Sequence, residues 1–325
     1  MHLVPATGDQ LQHILDETFP LWGEGLSRRG YEQWNHAQQQ TLWGQRHLTR
    51  LALVDGDTVV ATAKRYDLTM TVNGRATRTL GIGAVFTPKK LRGRGHATAI
   101  VHAMEDAARA DGVEASLLFS EIGSAFYEKL GFTTVPVQTV DIAVAQGKGA
   151  PAMLVRSGED RDAGHVAALH AAHATDYPVG LLPDAAQIIY SVAKKRLFVG
   201  LHPSRRRRIE YFVAEEGYQA VAYLLLYVST ESTGAQEIWS VEACGDRDPT
   251  GARVGAMLQV LIARNPAAPP SIVRGWWPAP LRPPQLTFTV RPHAGEVMML
   301  KPLTSRVTLG RLTAPDVHYF HGDAF

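Results

Sequence analysis

The segment Arg92-Gly93-Arg94-Gly95-His96-Ala97 constrains this chain more than any other stretch. It separates two runs of different pattern. Before it, residues 79–86 read as a strand. After it, residues 98–110 are alanine-rich, with Ile100, Val101, Met104 and Ala108 at helical spacing, and Asp111-Gly112 ends the helix. Residues 115–119 then read as a short buried strand. Strand, glycine turn, helix and strand have the shape of a parallel crossover, which is right-handed in nearly all folds. The turn also carries chemistry. Glycines let the backbone approach a ligand closely, successive N–H groups and the helix N-terminus face an anion, and Arg92 and Arg94 add positive charge. Such a turn suits a phosphate or pyrophosphate. Taken alone it also fits an ordinary solvated loop. The dinucleotide fingerprint G-x-G-x-x-G is not met, because position 98 is Thr, and the Gly-Lys-Ser/Thr of a P-loop is absent.

The flanks extend this unit. Residues 51–54 are apolar and meet Asp55-Gly56, and residues 58–71 are rich in β-branched side chains. Asn73-Gly74 is a strong hairpin signal, since both residues tolerate positive φ. Residues 50–86 therefore read as a three-stranded antiparallel meander. Upstream, Leu11, Ile14, Leu15 and Phe19 share one helical face. Downstream, residues 124–130 read as a short helix with Gly131 at its C′ position, and residues 132–140 as a last strand. Trp22, Trp34 and Trp43 are expected to pack rather than to line a pocket.

A chain of 325 residues exceeds one average domain. The second half echoes the first. A helix over 164–175 comes early, then a hairpin of residues 208–214 and 220–228 across Glu216-Gly217. A strand at 237–243, a loop at 246–251 and a helix at 254–264 follow. This order predicts a diverged internal repeat. Residues 144–152, within the stretch VAQGKGAPAM, are the expected boundary, giving domains 1–145 and 152–325. The proline-rich stretch 265–284 should be irregular or edge-like.

Composition narrows the class. Hydrophobic residues make up 45% and charged residues 20%, enough apolar material for full cores. A single cysteine, Cys244, excludes an intrachain disulfide and a cysteine-cluster zinc site, and it suits a reducing, cytoplasmic setting. No apolar run of about 18 residues is present, and the start lacks the pattern of a secretory signal, so no membrane partner is expected. The net charge of +2 calls for no nucleic acid partner.

With these residues in view, the chain resembles the GCN5-related N-acetyltransferases (GNAT). Arg92-x-x-Gly95-x-Ala97 is similar to the Q/R-x-x-G-x-G/A signature of that superfamily. Phe126-Tyr127-Glu128-Lys129-Leu130-Gly131-Phe132 is similar to its second element, in the expected order. Val85-Phe86-Thr87-Pro88 and Phe119-Ser120-Glu121-Ile122-Gly123 sharpen the likeness toward fungal-type lysine N6-acetyltransferases. The two-domain plan resembles the enhanced-intracellular-survival acetyltransferases, although the chain is too short for their third domain. The close likeness covers about residues 50–140. It implies an α+β (mixed α/β) GNAT fold, a central mixed sheet flanked by helices, followed by a second, degenerate GNAT-like domain.

The resemblance also implies roles. Acetyl-CoA is the co-substrate and no metal takes part. Arg92, Gly93, Arg94, Gly95, His96, Ala97 and Thr98 would hold its pyrophosphate, and the backbone of Val85 and Phe86 would pair with the pantetheine arm and the thioester carbonyl. Tyr127 would be the general acid toward the departing thiolate. Glu121 is a candidate base, and the α-carboxylate of Phe325 another base or an amine anchor. The acceptor would be a primary amine on a small molecule: lysine, a polyamine or an aminoglycoside. A monomer or small homo-oligomer is expected. The alternatives are a protein-lysine acetyltransferase and a non-catalytic acyl-CoA or metabolite sensor.

Other residues take plainer readings. His165, His170 and His173 share a helix but have no acidic or cysteine partner nearby in sequence, so a structural role is expected. Arg205 to Arg208 read as a solvated loop before an edge strand, and Trp276-Trp277 as packing at the domain interface. The loop at 246–251 occupies the place of the phosphate turn but lacks its spacing, so the second half is expected not to bind acetyl-CoA.

Overall fold

The structure is a computed structural model, and it describes residues 1–146, 153–204, 206–230, 236–264, 266–293 and 295–319. In chain order the first half runs β1 (His2–Pro5), α1 (Gly8–Trp22), α2 (Arg28–Gln40), α3 (Gly44–His47), β2 (Leu48–Asp55), β3 (Thr58–Val72), β4 (Arg75–Phe86), α4 (His96–Ala110), β5 (Ala115–Ser120), α5 (Ala125–Glu128), β6 (Thr133–Thr134) and β7 (Gln138–Val144). The second half runs β8 (Leu154–Ser157), α6 (Ala163–Ala174), β9 (Val179–Leu181), α7 (Ala185–Leu201), β10 (Arg207–Glu216), β11 (Gln219–Thr230), β12 (Glu237–Asp246), α8 (Ala252–Ala263), β13 (Ile272–Gly275), β14 (Leu286–Pro292), β15 (Val297–Pro302) and β16 (Val317–His318).

Local chemistry explains the elements that place the site. Asn73 and Gly74 both sit at positive φ, 50° and 75°, and turn β3 back into β4. Their antiparallel ladder carries a bulge between Thr62 and Lys64, where Ala84 takes a φ of 47°. Helix α4 buries Ile100, Val101, Met104 and Ala108 against the sheet. Each of the larger three contributes roughly 1.5–3 kcal/mol of burial. β4 then pairs with β5 in parallel, from Thr79–Ala115 to Ile82–Leu118. The expected crossover is therefore present.

Two mixed sheets result. The first has the order β1-β2-β3-β4-β5-β15-β6, with β9 added to β3 and β16 to β9. The second has the order β8-β10-β11-β12-β13-β7-β14. Laid side by side, the orders correspond position by position, with β15 in the first sheet standing where β7 stands in the second. The halves have thus exchanged a strand. The segment expected as one strand over 132–140 breaks at Val135 to Val137, and its second part, β7, joins the other sheet between β13 and β14. In return β15 inserts between β5 and β6. The border between the sheets consequently does not follow the sequence border at 145–152. Lys301 on β15 seals the exchange, with Nζ 2.6 Å from Oε2 of the buried Glu105 on α4.

One core cluster runs through both halves, from Tyr66 and Met70 to Leu224 and Trp239. Trp276 and Trp277 are buried in it as expected, and Trp276 meets the His318 ring edge-on at 5.2 Å. His170 and His173 are buried too, bonding the backbone oxygens of Leu181 and Asp246 at 3.1 and 2.9 Å. Of the arginine run, Arg205 lies outside the described residues, and Arg208 is held by Glu210 and Glu237. No helix among the described residues is long and apolar enough to cross a membrane, and they include no group of three or more metal-ligating side chains.

Candidate active site

The β4–β5 ladder ends at Ile82 and Leu118, although β4 continues to Phe86 and β5 to Ser120. Past the bulge at Ala84 the two strands therefore leave their facing edges unpaired, and two cavities open there. An outer cleft of about 610 Å³ runs along the end of β4, the glycine turn and α5. An inner cavity of about 200 Å³ lies between the meander, α2 and the end of β5. Trp22, Val85, Glu121, Ile122 and Tyr127 line both.

The glycine turn stands at the outer cleft. Gly93 and Gly95 have φ of 77° and 82°, in the left-handed region, and a Cβ at either would meet open space. Conformation rather than crowding therefore requires glycine at both positions. Gly95 caps α4 and offers no side-chain acceptor, so the first-turn N–H groups are free to meet an anion. Arg92, Gly93, Gly95, His96, Ala97 and Thr98 line the cleft. Arg94 is exposed on the same turn but is not part of the lining. Arg92 donates from Nε to the Thr87 carbonyl at 3.1 Å, which fixes its stem. The Nδ1 atom of His96 and the Thr87 hydroxyl are buried without a partner.

Val85 and Phe86 reach the cleft from the end of β4, and the Trp22 ring meets Phe86 edge-on at 6.3 Å. Tyr127, only 8% exposed, packs edge-on against Phe126 and Phe132 at 4.9 and 5.9 Å. Gly131 at φ 86° ends this turn, as the sequence predicts. Burial pushes the Tyr127 phenol up to about 12, and the charge of Glu121 adds to the effect. Tyr127 thus keeps its proton throughout the neutral range. Glu121 is exposed at the mouth and accepts from Trp22 Nε1 at 3.2 Å. The structure brings Val85, Phe86, Glu121, Tyr127 and the turn together. Phe325 lies outside the described residues.

Sequence reasoning missed several residues here. Trp22 and Trp34 line the inner cavity instead of only packing, whereas Trp43 packs on Tyr190 with ring centres 4.6 Å apart. Glu24 lines the inner cavity with φ at 44°, a strained position for a non-glycine residue. Burial raises its pKa first, and the nearby Glu121 raises it further. Arg50 and Lys64 line the inner cavity as well. Their positions are extended strand like their neighbours, and period-two patterning does not tell a cavity wall from a solvated face. For Glu24 the only local signal is its place between Gly23 and Gly25, directly after Trp22.

In the second half the corresponding junction is closed. Gly251 caps α8 at φ 76°, close to the value for Gly95. Here, however, Oδ2 of Asp246 accepts from the backbone N–H of Arg253 and Val254 at 2.8 and 3.1 Å. Gln285 and Pro283 crowd Gly255, with a Cβ there meeting them at 2.5 and 2.7 Å. An internal carboxylate thus occupies the N-terminus of α8.

Comparisons with known proteins agree with this geometry. Residues 15–135 match the family model of an acetyltransferase (GNAT) domain. Among solved structures, a GCN5-related N-acetyltransferase from Anabaena variabilis superposes with a TM-score of 0.68 at 13% identity, covering 93% of this chain and 73% of that one. A GCN5-related N-acetyltransferase from Kribbella flavida gives 0.64 at 18% identity, covering 92% and 70%. Eis1 from Mycobacterium abscessus gives 0.60 at 12% identity, covering 93% and 74%. No curated protein matches the sequence. The fold is thus the GNAT fold, built as two like units, and its residues 15–135 match a GNAT acetyltransferase domain, which supports an N-acetyltransferase activity.

Proposed function

We propose that the protein transfers the acetyl group of acetyl-CoA to the primary amine of a small molecule held in the inner cavity. The observation that carries this reading is that the two cavities meet at Val85, Glu121 and Tyr127. The outer cleft offers free helix-terminal N–H groups and Arg92 to a pyrophosphate. The unpaired edge of β4 at Val85 and Phe86 offers backbone groups to the pantetheine arm and the thioester carbonyl. The amine enters from the other side and faces the thioester where the cavities join.

The proton balance follows from the groups present. A lysine-like ammonium, with pKa about 10.4, must lose a proton before it can attack. Glu24 and Glu121 line the inner cavity and attract such a cation, and the raised pKa of Glu24 brings it closer to the ideal of a neutral-range base. The nitrogen then bonds to the acetyl carbon, the carbon–sulfur bond breaks, and the sulfur leaves as a thiolate. Tyr127 donates to that sulfur and recovers a proton released by the nitrogen, leaving an amide and free CoA thiol. A phenol near 12 is a weaker acid than a thiol near 8.5, so donation accompanies cleavage and does not precede it. The second half, closed at its own junction, supplies Lys194, Phe198 and Tyr227 to an adjoining cleft that shares Glu24 and Trp34 with the inner cavity.

The test is thiol release from acetyl-CoA against lysine, polyamines, aminoglycosides and a lysine-containing peptide. Turnover of a small amine is the expected result. Saturable acetyl-CoA binding without thiol release from any amine would overturn this reading in favour of a sensor.

A further inference from the structure

Arg50 on β2 and Lys64 on β3 are direct cross-strand partners. They are 2% and 8% exposed, and both line the inner cavity. Two like charges placed opposite each other on a sheet destabilise it, more so when buried. Among the described residues, no carboxylate pairs with either of them. Arg50 reaches only the Thr62 hydroxyl, from Nη2 at 3.4 Å, and its Nε and Nη1 atoms are buried without a partner. Lys64 reaches only the Gln38 amide oxygen, from Nζ at 3.3 Å, and lies 5.5 Å from the centre of the Trp34 ring. Burial pulls the pKa of both below the ordinary range, and for Lys64 the charges of Arg50 and Lys194 add to the effect. A buried arginine with two orphaned nitrogens facing a second buried cation is costly to keep, unless an anion arrives.

The position of the pair gives the anion a source. Neither residue lines the outer cleft, whereas Glu121 and Tyr127 line both cavities. The inner cavity is therefore polarised, with carboxylates from Glu24 and Glu121 on its walls and two cations away from the junction with the cleft. We infer that the acceptor carries a carboxylate that seats between Arg50 and Lys64, so that the substrate is an amino acid rather than a polyamine or an aminoglycoside. This rests on the acetyl-transfer reading above. Arginine holds a carboxylate through two parallel donors, Nε with Nη2 or Nη1 with Nη2, and the long Thr62 contact takes only one Nη2 hydrogen, which leaves one such pair open.

The experiment pairs each amino acid with its decarboxylated amine: lysine with cadaverine, ornithine with putrescine, phenylalanine with phenethylamine. Thiol release is measured for the wild type, Arg50→Met and Lys64→Met. The expected result is a preference of roughly 100-fold in kcat/KM for one acid over its amine. That preference should fall below about fivefold in both variants, while the melting temperature holds or rises because a buried unpaired charge is gone. Equal or better turnover of the decarboxylated partners would overturn the inference and leave acetyl transfer standing. Activation of cadaverine by free acetate or phosphate to the level of lysine would also overturn it, by placing a free ion in the seat. If no amine releases thiol, the transfer reading fails, and calorimetry decides the seat separately. Binding of 6-aminohexanoate that is lost in Arg50→Met sustains it, and no binding to the wild type removes it.

Discussion

The two strand–loop–helix junctions share a backbone and differ in what they do with it. Gly95 and Gly251 cap their helices at nearly the same φ, 82° and 76°. At the first, the helix N-terminus is open to the cleft. At the second, the carboxylate of Asp246 already occupies it, with bonds to two first-turn amides. A helix N-terminus must find a partner for its free N–H groups, and an external anion or an internal one will serve. The fold alone therefore does not say which half binds a cofactor. In the proposed reading, the placement of one carboxylate does.

Four measurements probe this contrast, in order of decreasing effect. Tyr127→Phe should lower turnover by roughly 1000-fold and leave acetyl-CoA affinity within about twofold, as measured by thiol release and calorimetry. Unchanged turnover would remove Tyr127 from the reaction. Gly95→Asp should give the first junction a carboxylate of its own and weaken acetyl-CoA binding by roughly 300-fold, because the pyrophosphate then meets a like charge. Retained affinity would show that the helix terminus does not hold the anion.

The third measurement concerns the seam between the halves. Burial pushes the His170 imidazole down to about 4, and His318, ring against ring with it, is lowered as well. Both stay neutral in the fold, while the unfolded chain takes up protons below about pH 6.5. Stability is thus fully present above that pH and falls as pH drops from about 6.5 toward 4, by about 3 kcal/mol for His170 alone. Denaturant unfolding of the wild type and His170→Phe across that window should show a shallower slope in the variant. The fourth is Asp246→Ala. It should cost roughly 2 kcal/mol of stability through the amides it exposes, with no change in acetyl-CoA affinity. A change in that affinity would mean that the second junction takes part in binding.

Much of the first unit could be read from the chain because its signals are local. Asn73-Gly74 requires a tight turn, and the alanine-rich stretch after Gly95 shows a clean apolar stripe. The elements that were missed lack such signals. Helix α2 buries Tyr31, but beside it only Gly30, Asn35 and Gln38, so no hydrophobic period marks it. In α7, Ile188, Ile189, Tyr190 and Phe198 are spread around the whole circumference. The exchange of β7 and β15 has no local signature, because which sheet a strand joins is set by pairings distant in the chain. The site divides in the same way. Its glycine turn and Tyr127 lie in continuous motifs, whereas Glu24, Arg50 and Lys64 meet only after the meander folds against α2.

The exchanged strand also bears on how the molecule comes to be assembled. The neighbours of β15 are β5 and β6, more than 160 residues earlier in the chain. During synthesis the first sheet, which adjoins the glycine turn, is complete only after most of the second has emerged, so the halves cannot mature one after the other. Pairing over such a distance slows folding, since the closing entropy is met before the contacts reward it. It also ties the halves together in evolution. A duplicated unit that has traded a strand with its twin can no longer be lost or shuffled to another chain without opening the sheet that its partner depends on.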